Sequence, residues 1–210
     1  MTASASLPHP RRLRFPAAGL AAVAVWLGLA VVAGATGFLT RLPFPGPELI
    51  SAALFAATLA AGTAVPALRA WIDALPLRVL IGINAFRLIG IIFLVLAAQG
   101  QIAPILANRA GWGDIATAAL AIILVAAGEP RTPARRALVH AWNAFGLLDL
   151  VIAVGTVAWV TLHSITPGIG PLFGLPIALV PMFFVPIFLA NHVFIFGRLV
   201  AAGRSPAGGR

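Results

Sequence analysis

Six long runs of apolar residues, separated by short segments rich in arginine, proline and glycine, organise this chain. They cover Ala17–Leu39, Leu49–Ala70, Leu77–Ala98, Trp112–Gly128, Leu138–Leu162 and Leu175–Gly197. An α-helix needs about twenty residues to cross about 30 Å of hydrocarbon, and five of the runs meet that length comfortably. The fourth is the shortest, because Glu129-Pro130 ends it firmly. The pattern predicts an all-α, polytopic membrane helix bundle of six transmembrane helices. It occupies residues 17–200, between a basic N-terminal tail (1–16) and a C-terminal tail (201–210), both expected to be disordered because they have no apolar period.

Composition removes the soluble alternative. The chain is 61% hydrophobic and 9% charged, whereas about a quarter of the residues in soluble domains are charged. With a mean hydropathy of +1.04, it cannot cover itself with polar surface. Cysteine is absent, which excludes disulfides, thiolate metal sites and a cysteine nucleophile. A net charge of +9 would suit nucleic acid on one soluble face, but the arginines lie between apolar runs, so no nucleic-acid partner is expected.

Their distribution predicts orientation instead. With six spans, the termini and the second and fourth connections share one side. That side carries Arg11, Arg12, Arg14, Arg69, Arg78, Arg131, Arg135, Arg136, Arg198, Arg204 and Arg210, against Arg41 and Arg109 on the other. Positively charged loops stay in the cytoplasm, so both termini are expected there, with the loops next to anionic lipid head groups. Arg11-Arg12-Leu13-Arg14 followed by Ala33-Gly34-Ala35 resembles a signal peptide with a cleavage site. The long apolar stretch and the parity of the spans favour an uncleaved anchor.

Two connections are irregular. The stretch Ile102–Ala107 is apolar but too short to span, and is expected to dip into the outer interface or pack as a short helix. Residues 163–176 carry Pro167, Gly168, Gly170, Pro171, Gly174 and Pro176, which rules out a regular helix. Pro181 and Pro186 interrupt the sixth run, so carbonyls freed at membrane depth must be satisfied by neighbours or face a cavity.

Candidate chemistry sits inside the runs. Arg87 is central to the third and Asp149 to the fifth, and a lone charge at mid-bilayer costs about 3 kcal/mol or more. The two are expected to pair. The segment Asn84-Ala85-Phe86-Arg87-Leu88-Ile89-Gly90 reads against Asn143-Ala144-Phe145-Gly146-Leu147-Leu148-Asp149, placing Gly146 opposite Arg87 and Gly90 opposite Asp149. Glycine at both levels allows close helix approach. The charges are three residues apart in level, about 4.5 Å, which an arginine side chain spans. Asn84, Asn143, Asn191 and His192 fall at a similar height, so a small polar chamber open to the cytoplasm is expected, with interhelical hydrogen bonds as the competing reading. Asp114 suits a helix-capping role at the start of the fourth run.

No zinc-peptidase, nucleophile-elbow or phosphate-loop pattern is present. No metal and no cofactor is expected, although His140 and His192 leave bis-histidine haem conceivable. The residues Phe86-Arg87-Leu88-Ile89-Gly90, Ala110-Gly111-Trp112-Gly113-Asp114 and Trp142-Asn143-Ala144-Phe145-Gly146-Leu147-Leu148-Asp149-Leu150 resemble a group of small, uncharacterised bacterial integral membrane proteins. The resemblance implies a multi-pass protein of the bacterial inner membrane and carries no activity. The functional expectation is a small carrier or ligand-binding membrane protein, with Arg87, Asp149, Asn84, Asn143, Asn191 and His192 as ligand-site candidates. An accessory or assembly subunit of a larger membrane complex is the alternative, and an intramembrane enzyme or haem protein the third.

Overall fold

The computed structural model describes residues 15–204, all of them helix or connection with no strand. Six helices are long and apolar enough to cross a membrane: Ala17–Ala35, Gly46–Ala64, Leu77–Ala98, Pro104–Ala126, Pro133–Leu162 and Val180–Ala201. Residues 1–14 and 205–210, most of both expected tails, lie outside the described residues. Phe15 packs edge-on against Trp71 at 4.6 Å, and the last helix continues to Arg204.

Proline chemistry explains most of the shifted boundaries. The second span stops at Ala64 rather than Ala70, because Pro66 holds Val65 in an extended conformation. Pro66 then opens a separate short helix, Pro66–Ala74, that leads into the third span. The fourth span is longer than expected. Pro104 occupies its first turn, and a π-helical turn at Ala107–Gly111 joins the stretch Ile102–Ala107 to Trp112–Ala126. That apolar stretch is therefore the start of the fourth span and not a separate interfacial element. The span ends at Gly128, whose φ of 81° suits the left-handed turn after a helix.

The fifth span begins at Pro133, preceded by Thr132, whose hydroxyl caps the Arg135 N–H at 3.3 Å. Its 30 residues make about 45 Å of helix, so it projects beyond the hydrocarbon at its arginine-bearing end. The sixth span starts at Val180 rather than Leu175, after the turn Gly170–Phe173.

Burial separates an inner bundle from an outer pair. Of the most apolar stretch of each helix, 44% is buried in the sixth span but only 11% in the first and second. The third to sixth spans therefore form the core. Two apolar clusters fill it: Phe93, Leu96, Ile102, Leu106, Val160 and Leu172 at one end, and Leu80, Ile81, Val139, Trp142, Ile195 and Leu199 at the other. The charged residues form a layer between them.

The first two spans brace the irregular start of the sixth. Pro186 has no N–H to give the Met182 carbonyl four residues back, and the Trp26 indole N–H from the first span supplies that bond at 2.8 Å. In the π-turn Val180–Phe184, the Val185 N–H bonds Val180 instead of Pro181, and the Ser51 hydroxyl donates to the Pro181 carbonyl at 2.8 Å. The freed carbonyls are thus satisfied by neighbours, as membrane depth demands. Trp26→Phe keeps the ring contact with Phe183 but removes the donor. It is expected to lower stability by about 1 kcal/mol, read as a lower thermal unfolding midpoint in detergent.

Candidate functional site

The middle of the third span, Asn84–Gly90, is a seven-residue 3-10 helix set between α-helical ends. Such runs rarely exceed three or four residues, and at three residues per turn positions i and i+3 eclipse. Asn84, Arg87 and Gly90 therefore share one line along the helix, and all three are buried. An α-helix would fan these positions over about 120° of its circumference. The 3-10 turn thus aims Arg87 at the neighbouring helices with glycine beside it.

Arg87 is fully buried, and its guanidinium reaches the fourth, fifth and sixth spans. Nε donates to Asp114 Oδ1 at 2.7 Å. One terminal nitrogen donates to Asp149 Oδ2. The other donates to the Gly146 carbonyl at 2.9 Å and lies 3.3 Å from His192 Nε2. The expected Arg87–Asp149 pair is present, and Gly146 meets Arg87 through its backbone oxygen.

His192 is held from its other side. Asn143 Nδ2 donates to the His192 carbonyl at 3.0 Å, which leaves Asn143 Oδ1 to accept from His192 Nδ1 at 2.7 Å. Nδ1 therefore carries the proton and Nε2 accepts from Arg87, so the network defines a neutral imidazole. With both ring nitrogens engaged, His192 offers none to a haem iron. Trp142 lies tilted against the imidazole, ring centres 5.7 Å apart, and anchors its N–H on the Thr117 carbonyl at 3.0 Å.

Two of the candidate residues do other work. The first 3-10 bond, from the Asn84 N–H to the Ile81 carbonyl, leaves the Leu80 carbonyl without its usual partner. Asn84 Nδ2 and Asn191 Nδ2 both donate to it, at 3.3 and 2.9 Å. These asparagines hold the α to 3-10 junction and do not contact the guanidinium.

Asp114 requires the main correction. It makes no capping bond, because the helix runs through it from Pro104 and leaves no free N–H groups there. Its carboxylate is Arg87's second partner. The glycine pairing is also revised. Gly90 packs against Asp114, and Asp149 packs against Gly113, the residue preceding Asp114. The arrangement is reciprocal: each carboxylate lies over a glycine of another helix.

The polar layer is not open toward the arginine-rich end, since Asn84, Arg87, Asn143 and His192 are all fully buried. Access lies on the opposite side, where Asp114 borders a cavity of about 70 Å³. Glu48 of the second span also borders this cavity, and its Oε2 is buried with no hydrogen-bond partner among the described residues. Glu48 and Gly113 were not singled out from the sequence. A carboxylate immediately before the second apolar run is the signal for Glu48, and Gly-Asp within an apolar run is the signal for the pair at 113–114.

Two carboxylates share one guanidinium beside a neutral histidine. With both ionised, the centre carries one excess negative charge, balanced by a proton or a cation. Six apolar helices enclosing a charged layer define an α-helical multi-pass membrane protein. Within that class, the chain belongs to the family described as a domain of unknown function (DUF8737), whose model matches residues 44–200. The match takes in the second to sixth spans and every residue of the charged centre. No curated protein and no solved structure matches the chain.

Proposed function

We propose that this protein is a small carrier or ligand-binding protein of the bacterial inner membrane, acting at the centre formed by Arg87, Asp114, Asp149 and His192. One observation carries the reading: two buried carboxylates share a single guanidinium, and one of them, Asp114, borders a cavity. Packing alone needs no such charge imbalance at membrane depth, where ionisable residues mark sites by default. Four of Arg87's five N–H donors go to protein groups, so most of the guanidinium is committed within the protein. The carboxylates are the reactive partners, exchanging a proton or cation as a ligand comes and goes.

The orientation follows from the arginines, with both termini in the cytoplasm. At that end, Arg131, Arg136 and Arg198 border a second cavity of about 260 Å³ together with Glu129. Basic pockets between helices at this depth suit anionic lipid head groups.

A second reading, an accessory subunit of a larger membrane complex, is favoured by the engagement of Arg87 with three other spans at once, which is what a structural clasp requires. Native mass spectrometry of the detergent-purified protein, wild type beside Asp149→Asn, separates the two. The carrier reading expects a small molecule retained by the wild type and lost from the variant. A second protein retained equally by both, with no small molecule, would move the assignment to the accessory subunit.

A further inference from the structure

Apart from the charged centre, the most distinctive feature of the bundle is the cavity that leads to it. Its walls are apolar, with Phe93, Leu106, Leu150, Val154, Val157 and Phe173 among them. Along the fifth span it runs from Leu150 to Val157, seven residues or about 10 Å at the α-helical rise. Asp114 lies at the inner end of this slot, and Glu48 enters from the second span. Ser51 also borders it, but its hydroxyl is committed to the Pro181 carbonyl. Val154 on the rim is 39% exposed, so the slot meets the surrounding lipid between the second and fifth spans.

Charge complementarity selects the occupant. Among the described residues, both ionisable groups bordering the slot are acids, and no arginine or histidine borders it. Asp114 is nine-tenths buried and gives one oxygen to Arg87; its second oxygen lies toward Gly90, within 2.9 Å of where a β-carbon there would sit. Glu48 contributes a buried oxygen with no hydrogen-bond partner among the described residues. An anion would meet two carboxylates and no available donor. A neutral apolar molecule would bring neither carboxylate a hydrogen-bond donor. A protonated amine brings both a donor and a countercharge, and an attached hydrocarbon lies along the apolar walls.

We infer that the slot binds a hydrophobic monoamine, which enters from the lipid between the second and fifth spans, places its ammonium on Asp114 and lays its hydrocarbon along Leu150, Val154 and Val157. The inference rests on the carrier reading and names the ligand class of that site. Glu48 provides the first negative charge the ammonium meets, and Asp114 together with Asp149 provides the second.

The test compares hexylammonium, hexanol and hexanoate on the purified protein in an uncharged detergent at neutral pH. They share a chain length and differ in head-group charge. Ligand binding to the native state raises the unfolding midpoint in a concentration-dependent way. Hexylammonium is expected to raise it, and hexanol and hexanoate at the same concentration are not. Asp114→Asn is expected to weaken the amine by about tenfold or more, the usual effect of removing one charged hydrogen-bond partner. Val157→Phe, about two helical turns from Asp149, narrows the slot away from the charged layer and is expected to abolish the response; it decides the matter if Asp114→Asn does not fold. Equal shifts with hexanol, or an amine response that survives Val157→Phe, would overturn the inference. An anionic or neutral molecule retained by the wild type in native mass spectrometry would overturn it too, while leaving the carrier reading in place.

Discussion

Replacing Arg87 with glutamine is expected to destabilise the bundle by about 3–5 kcal/mol, the usual cost of breaking a buried ion pair by removing one partner. The size follows from what is left behind. Arg87 is fully buried and serves Asp114, Asp149, the Gly146 carbonyl and His192 at once. Glutamine cannot reach all four, so two carboxylates remain at membrane depth without a countercharge. Arg87→Lys should fall between, because an ammonium is a compact point charge that cannot reproduce the planar fork between two carboxylates. Removing one carboxylate is milder: Asp149→Asn leaves Arg87 with Asp114, one positive charge against one negative. The triple variant Arg87→Gln, Asp114→Asn, Asp149→Asn has no buried charge and should recover most of the stability lost in Arg87→Gln. Thermal unfolding in detergent, read by size exclusion after heating, ranks the four variants. An Arg87→Gln protein as stable as wild type would show that the centre is not the electrostatic hub of the bundle. A triple variant that folds but no longer retains a small molecule would separate the functional role of the charges from their structural one.

The mildness of Asp149→Asn has a physical origin that the sequence does not display. The number of spans and their approximate positions could be read directly, since twenty apolar residues in a row admit few alternatives in lipid. The Arg87–Asp149 pair was legible for the same reason: isolated opposite charges at similar depth have nowhere else to go. Asp114 was not, because a carboxylate near the apparent start of a helix fits an N-cap equally well. The distinction depends on where the fourth span begins. Hydropathy places that start near Trp112, because Asn108 and Arg109 break the apolar run; the π-turn Ala107–Gly111 carries the helix past them. The 3-10 segment Asn84–Gly90 was hidden in the same way. Its residues match Asn143–Asp149 at four of seven positions, yet one segment is 3-10 and the other regular α-helix. Local propensity does not separate them. What does is the tertiary demand that Asn84, Arg87 and Gly90 lie on one line. The cavity was likewise beyond the sequence, because it is made by what the second and fifth spans leave open between them.

Gly90→Ala and Gly113→Ala are expected to disrupt the charged centre from its glycine side. A β-carbon on Gly113 would overlap the Asp149 carboxylate, and one on Gly90 would overlap the Asp114 β-carbon. The two clashes differ in kind. Asp149 can relieve its own by rotating the carboxylate away from Gly113, but that rotation takes it off Arg87. Asp114 has no such escape at Gly90, because its β-carbon moves only with the backbone of the fourth span. Overpacking a close helix contact costs about 1–3 kcal/mol, occasionally more, so Gly90→Ala should lie at the top of that range and Gly113→Ala within it. Gly28 in the first span is the control: a β-carbon there meets nothing within 4 Å, and removing a glycine from a helix interior is worth about 0.5–1 kcal/mol in favour of alanine. Gly28→Ala should therefore match or exceed the wild type. Unfolding midpoints in one detergent compare the three directly. The hexylammonium response adds a second readout, since Gly113→Ala displaces Asp149 but leaves Asp114 at the slot. A Gly113→Ala protein with wild-type stability would mean that Asp149 can leave Arg87 at no cost, and the reciprocal glycine–carboxylate packing would then not be what fixes the centre.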